Sequence, residues 1–386
     1  IACGFNNTPL QNVLLSGATG IPSTNSGNVS EVSMDIEVVL AMATNLSRLY
    51  VFEAPLISSA SVITMLNAMA TSNQISQFSS SWSGGQSATA DQIFQTMAAQ
   101  GQSFFVASGD GDAYTYPVPW PNDNPYITSV GGTTLNMNTN GPTYISETVW
   151  NSGFLGTNNT WFGNGQSGWW GSGGGSTSTY DMPGWQQSVD FASLGGSTTK
   201  RNVPDVAMVA NQGWIIWFNG LSGPAFGTSM AAPLWAGFTA LVNQQAALSG
   251  NPPVGFLNPA LYSIGKGRSY ALVFHDITNG NNTWSGSTNQ FYAVPGFDLC
   301  TGWGTPTAGL VSVLANFANS VWVDFTIPGP GSGTFDDPFN TLVAGVNAVG
   351  QGGTIMLKTP GTSPERLTIT KPLKINTDGG SATIGQ

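Results

Sequence analysis

The chain has a single histidine, His275, and nine lysines and arginines in 386 residues, with Arg48 the only one before Lys200. Nucleic-acid binding driven by phosphate neutralisation needs clustered cations, so that class is excluded. Charged residues are 7% of the total, against about 25% in ordinary soluble proteins. Cys3 and Cys300 are too few for a disulfide scaffold and lack metal-ligand spacing. One bond in an oxidising compartment or two buried thiols both fit. No run reaches the roughly 18 apolar residues of a membrane span. Ile1 opens the chain without a leader pattern and is expected to be an internal start.

What the chain does have is 50 glycines and an acidic surplus of 19 to 9. A surface of Asn, Gln, Ser, Thr and Gly suits a secreted protein in an acidic medium, because protonation cannot remove ion pairs that were never there. Apolar spacing predicts a helix over 31–45, a strand over 49–52 and a helix over 60–71. A strand over 75–82, a helix over 90–100 and strands over 103–108 and 126–130 follow. Such alternation predicts an α/β fold with a parallel sheet covered on both faces, and site residues at the strand ends. Residues 150–180 read as a long Gly/Ser/Asn/Trp loop. Composition shifts near 320, dividing the chain into 1–320 and a small β-rich segment, 321–386.

Phe226-Gly227-Thr228-Ser229-Met230-Ala231-Ala232-Pro233 opens a long apolar helix, the setting in which a serine nucleophile gains from the helix dipole. Such a serine needs a base, and His275 stands 46 residues after it, so carboxylates are the candidates. Glu31 and Asp35 share one face of the 31–45 helix. Two carboxylates that close cannot both ionise freely, and a pair sharing a proton serves as a base at acidic pH. Asp110 ends the apolar run Phe104-Phe105-Val106-Ala107-Ser108-Gly109. Protonated, it would donate to an oxyanion; read alone, it is a turn aspartate.

Together these segments resemble the sedolisin family of serine-carboxyl peptidases. The resemblance rests on Glu31–Glu37, Ser80-Ser81-Trp82-Ser83-Gly84, Ala107–Asp110 and Val130-Gly131-Gly132-Thr133-Thr134-Leu135. It continues through Glu147–Asn151, Ser172-Gly173-Gly174-Gly175, Pro183–Gln186, Pro204-Asp205-Val206-Ala207 and the Ser229 segment, in one order over roughly 300 residues. It implies a subtilisin-like, mostly parallel sheet with helices on both faces. Ser229 would be the nucleophile, Glu31 its base, Asp35 the group orienting Glu31, and Asp110 the oxyanion donor. Ser172, Gly173, Gly174 and Trp82 would line the peptide substrate. One calcium ion (Ca2+) would be held by the carboxylates of Asp276 and Asp298 and the carbonyls of Ile277, Val294 and Gly296, with His275 a neighbour.

The chain departs from the family pattern in three places. Gly111-Asp112 follows Asp110 where the family continues Ser-Gly, and Val294 stands where Gly is usual. The opening strand and helix that the family places before Ile1 are missing, as is a pro-domain, so a separate N-terminal chain completing the fold is expected as a partner. Residues 332–386 resemble the opening of a parallel β-helix with a capping helix near 341–349. Solenoids need about three repeats, and an open β edge suits self-association. The expected function is a secreted, calcium-dependent acid endopeptidase acting on polypeptides. The runner-up is a surface or filament-forming scaffold on the same fold; a carbohydrate-active enzyme lacks enough solenoid for a groove.

Overall fold

The computed structural model describes residues 8–385 apart from 22, 55–57, 139, 141–142, 157–167, 212–213 and 336. Elements alternate from the start: β1 (Leu10–Leu14), α1 (Ser26–Met42), β2 (Leu49–Glu53), α2 (Ser59–Ala70), β3 (Gln77–Ser80), α3 (Ala88–Ala99) and β4 (Ser103–Ala107). Next come β5 (Gly111–Ala113), β6 (Thr128–Met137), β7 (Tyr144–Val149), β8 (Asn151–Phe154), β9 (Trp169–Asp181), β10 (Lys200–Val203) and β11 (Val206–Asn211). The β12–β13 hairpin (Trp214–Phe218, Leu221–Ala225) leads into α4 (Thr228–Leu248).

The central sheet runs β11-β6-β4-β3, all parallel, with β7 antiparallel beside β6. Strand β4 explains why helices cover both faces. Phe105 joins the cluster with Met34, Val38, Met230 and Trp235, from α1 and α4. Phe104 and Val106 point the other way, to Leu66, Phe94 and Met97 of α2 and α3. A strand buried on both sides must be apolar throughout, and Phe104-Phe105-Val106 is.

Helix α1 begins five residues before its apolar pattern. Asn25 caps it, accepting from Gly27 N (2.9 Å) and Asn28 N (3.3 Å), a polar start that periodicity does not register. The helix packs against α4 at Gly237, where a Cβ would lie 2.9 Å from Met42 Cβ and 3.2 Å from the Val39 carbonyl. Only glycine permits that approach.

Several strands lie outside those expected. Leu10–Leu14 pairs in parallel with β2, and much of the 150–180 stretch is β8 and β9, not loop. Residues 171–175 of β9 are buried. Glycine and serine serve there because other backbone crowds in: a Cβ on Gly174 would meet the Leu299 carbonyl at 1.8 Å. Among the described residues no hydrogen bond joins the β1–β2 pair to β3, and a cleft of about 1790 Å³ separates them.

In the tail, parallel strands 320–323, 354–357 and 374–377 stack Val321, Ile355 and Ile375 in register. The helix expected near 341–349 spans Leu342–Ala348. Within this β-rich segment the apolar run Leu367–Ile369, which reads as a short strand, is not one; 361–363 and 382–384 pair instead. Pro364 and Pro372 flank that run and withhold ladder donors. Trp322, Phe335 and Met356 merge with the main core, and Lys266 meets Asp378 at 3.3 Å, so the tail is docked on the larger unit.

Candidate active site

Ser229 is the second residue of α4. Gly227 precedes the helix at φ +125, a turn that side-chain-bearing residues rarely make. Gly227 offers no capping side chain, and Asp110 supplies the cap from the end of β4. Its Oδ1 accepts from Thr228 N and Thr228 Oγ1, both at 2.7 Å. The Ser229 N–H belongs to the first helical turn, whose donors have no intrahelical acceptor. Burial raises the Asp110 pKa, opposed by the Thr228 hydrogen bonds.

The adjacent Asp112 is buried at φ +59 with both carboxyl oxygens unpartnered. Burial, then the Asp110 charge, pushes it to about 8. It therefore stays protonated in acid and places no second negative charge beside Asp110.

Helix α1 brings Glu31 and Asp35 to the same point from the other side. Burial raises Glu31 to about 7; the Ser229 and Ser81 side chains, within hydrogen-bonding reach, lower it, and the Asp110 charge raises it. Its Oε1 is buried without a partner. Asp35 is pushed well above the carboxylate range by burial and by Glu31. Ser81 Oγ lies 2.9 Å from Asp35 Oδ1 and 3.2 Å from the Ser229 carbonyl, tying α1 to the start of α4. The structure thus brings Ser229, Glu31, Asp35 and Asp110 together. Glu37 faces away and accepts from Trp217 N of the β12–β13 hairpin.

Sequence reasoning missed two members of this group. Ser81 had been noted only as part of a strand end, and Thr228 only as the neighbour of Ser229. The sole signal was a hydroxyl at each place, which is common in loops.

Three of the four residues assigned to substrate, Ser172, Gly173 and Gly174, are buried in the fold. Ser172 is fully buried, its Oγ accepting from Gly132 N (2.9 Å) and donating to the Cys300 carbonyl (2.7 Å). Gly173 donates to the Gly109 carbonyl at 2.7 Å, and Gly174 packs on Leu299. Smallness at 172–174 answers crowding inside the fold. Trp82 lines the cleft between β2 and β3.

The residues assigned to calcium do converge. Asp276 accepts from Tyr270 Oη (3.0 Å) and Gly296 N (3.0 Å). Asp298 accepts from Cys300 N (2.9 Å) and Thr301 N (2.8 Å). Both charges raise the Tyr270 pKa, after burial, so they face a common region. Among the described residues no Lys or Arg pairs with either aspartate, and no hydrogen bond reaches the carbonyls of Ile277 or Val294. No three His, Cys, Asp or Glu side chains cluster among the described residues, so a cation here would depend on carbonyls. An all-oxygen set of this kind fits calcium. His275 stacks on Tyr144 at 4.0 Å. Cys300 is buried and forms no disulfide among the described residues; Cys3 lies outside them.

A serine at a helix start, two coupled carboxyls beside it and no histidine within reach define a subtilisin-like fold carrying a serine-carboxyl site. No protein-family profile matches the chain. Kumamolisin of Bacillus sp. (strain MN-32) is 32% identical over 326 residues, 78% of this chain and 54% of its own length. Sedolisin of Pseudomonas sp. (strain 101) is 36% identical over 228 residues, 56% of this chain and 35% of its own length. The solved Pseudomonas sedolisin, a serine-carboxyl proteinase complexed with pseudo-iodotyrostatin, superposes with a TM-score of 0.67 at 27% identity, covering 81% of this chain and 85% of that one. The chain belongs to the sedolisin family. It spans about half the length of kumamolisin and about a third that of sedolisin.

Proposed function

We propose that the chain is the catalytic part of a secreted serine-carboxyl endopeptidase that acts in acid on polypeptides. The observation that carries this is the meeting of Glu31 with Ser229 at the start of α4 that Asp110 caps. Ser229 Oγ attacks the scissile carbonyl carbon as its proton passes to Glu31, and Asp35 orients that carboxyl. The carbonyl oxygen, now negative, accepts from the Ser229 N–H and from protonated Asp110. Glu31 then gives the proton to the leaving amine, and water repeats the sequence to release the acyl group. The fold of the solved relative and the low surface charge support the reading.

Cleavage of a denatured protein substrate from pH 2 to 7, beside Ser229→Ala, tests it. Activity peaking below about pH 5 and lost in the variant is expected. The coupled pair releases its protons in two steps, and the lower one must set the acid limb. A limb near pH 7 would overturn the acid reading, and unchanged activity in Ser229→Ala would overturn serine attack.

Asp276, Asp298 and the carbonyls of Ile277, Val294 and Gly296 would hold one calcium ion, whose charge offsets the buried Asp298 carboxylate and the half-buried Asp276 carboxylate. Chelation is expected to lower the unfolding temperature by several degrees, since a ligand at 100 times its Kd adds about 2.7 kcal/mol. An unchanged transition and no metal by elemental analysis would remove the site.

A further inference from the structure

The two carboxyl oxygens of Asp110 stand in different surroundings. Oδ1 accepts from both Thr228 N and Thr228 Oγ1 at 2.7 Å. Oδ2 takes no hydrogen bond among the described residues and lies beside Gly227, where a Cβ would stand 2.8 Å away. A carboxyl oxygen has two lone pairs, so two donors on Oδ1 leave no place there for a proton. The Thr228 hydroxyl is itself fixed in direction. It accepts from Gly109 N at 3.0 Å, and its single hydrogen is left for Asp110. Gly109 is held in turn, its carbonyl accepting from Gly173 N at 2.7 Å. The preceding Ser108 carbonyl accepts from Tyr114 Oη and from Asn122 Nδ2 (2.7 Å). From this arrangement we infer that Thr228 is a positioning residue of the reaction: by filling Oδ1 it confines the acid proton of Asp110 to Oδ2, the oxygen left to donate to the oxyanion.

The inference rests on the peptidase reading and adds a requirement to it. A carboxylic acid in water carries its proton on either oxygen. With the proton on Oδ1, Asp110 would turn lone pairs toward the developing negative charge, and repulsion would replace stabilisation. An oxyanion donor built on an aspartic acid therefore needs a second group to choose the oxygen. The Thr228 N–H alone would leave one lone pair of Oδ1 open, and the hydroxyl closes it. Gly227 completes the device: it has no side chain to cover Oδ2, and its φ of +125 is the turn by which the chain enters α4. Thr228 thus acts through Asp110, without touching the substrate.

Thr228→Val keeps the branched shape and removes the hydroxyl; Thr228→Ser keeps the hydroxyl. Hydrolysis of a fluorogenic peptide in acid is measured for both, with thermal melts, and Thr228→Ala replaces the valine variant if that one does not melt cooperatively. The valine variant is expected to lose about 10- to 100-fold in kcat, with KM within about twofold of the parent. That is less than the roughly 100- to 1000-fold cost of losing an oxyanion donor outright. Serine should hold kcat within about threefold of the parent. The arm that separates positioning from structure is the Asp110→Ala background, where adding Thr228→Val is expected to cost less than about threefold more, because the residue it acts through is gone. A purely structural role would cost the same factor in both backgrounds. Three results would overturn the inference: a kcat for Thr228→Val within about threefold of the parent, a loss carried by KM, or an equal loss in the Asp110→Ala background. A folded parent that cleaves nothing at any pH would remove the proposed function instead, and this inference with it.

Discussion

Glu31→Gln is expected to lower kcat about ten-thousandfold while KM changes little. Glutamine keeps the shape but cannot take the Ser229 proton, and among the described residues no other base stands in its place. Asp35 reaches Ser81 and couples to Glu31, not to Ser229, so it cannot substitute directly. Misfolding is not the expected cause of the loss. Burial already holds Glu31 near 7, so a neutral amide removes a group that is costly to ionise, and the variant should unfold no more easily than the parent at neutral pH. Steady-state kinetics beside a thermal melt separates the two effects. A kcat within about tenfold of the parent would transfer the base role elsewhere.

Asp205→Ala is expected to cost about 3–5 kcal/mol of stability, much of the roughly 5–15 kcal/mol a folded chain possesses. Asp205 and Arg201 are both fully buried and paired twice, Nη1 to Oδ1 at 2.8 Å and Nη2 to Oδ2 at 2.6 Å. The carboxylate also accepts from Ser129 N (2.8 Å), Tyr262 Oη (3.0 Å) and Asn258 Nδ2 (3.2 Å). Removing it leaves the guanidinium without a paired carboxylate, facing the Asn202 carbonyl at 2.6 Å, the Trp185 ring 4.8 Å from Cζ and the charge of Asp123. Urea unfolding measures the loss. The double variant Arg201→Met, Asp205→Leu should recover much of it, because the penalty belongs to the unpaired charge. A loss below about 1 kcal/mol for Asp205→Ala would mean the pair contributes little.

The residues at the heart of the site were legible where chemistry and periodicity agreed. Glu31 and Asp35 share a helix face by spacing alone, and Ser229 follows a glycine at a helix start. Their mutual distance was not legible, because α1 and α4 meet through Gly237 and Met42, a tertiary contact no local pattern encodes. Residues 171–175 were misread as loop because glycine and serine signal flexibility, whereas here they answer crowding by Leu299, Ser108 and Asp112. Leu10–Leu14 was overlooked because that strand is half polar and largely exposed. Asp112 stood out in the sequence only as a departure from the family pattern, and that its carboxyl finds no hydrogen-bond partner among the described residues is visible only in three dimensions.

The buried acids make folding a proton-uptake reaction. Glu31 near 7, Asp112 near 8, and Asp35 and Asp110 displaced upward all bind protons more tightly folded than unfolded. Where the folded state holds more protons, stability falls as pH rises. Acidification from about pH 8 toward 4 therefore drives the equilibrium to the folded side. Asp324 and Glu365 in the tail carry the opposite sign, their pKa values lowered by hydrogen bonds from Thr326 and from the backbone at Val343 and Leu342, so they oppose this gain only at the acid end. Alkali, by ionising carboxyls around Ser229, would loosen the catalytic end before the tail.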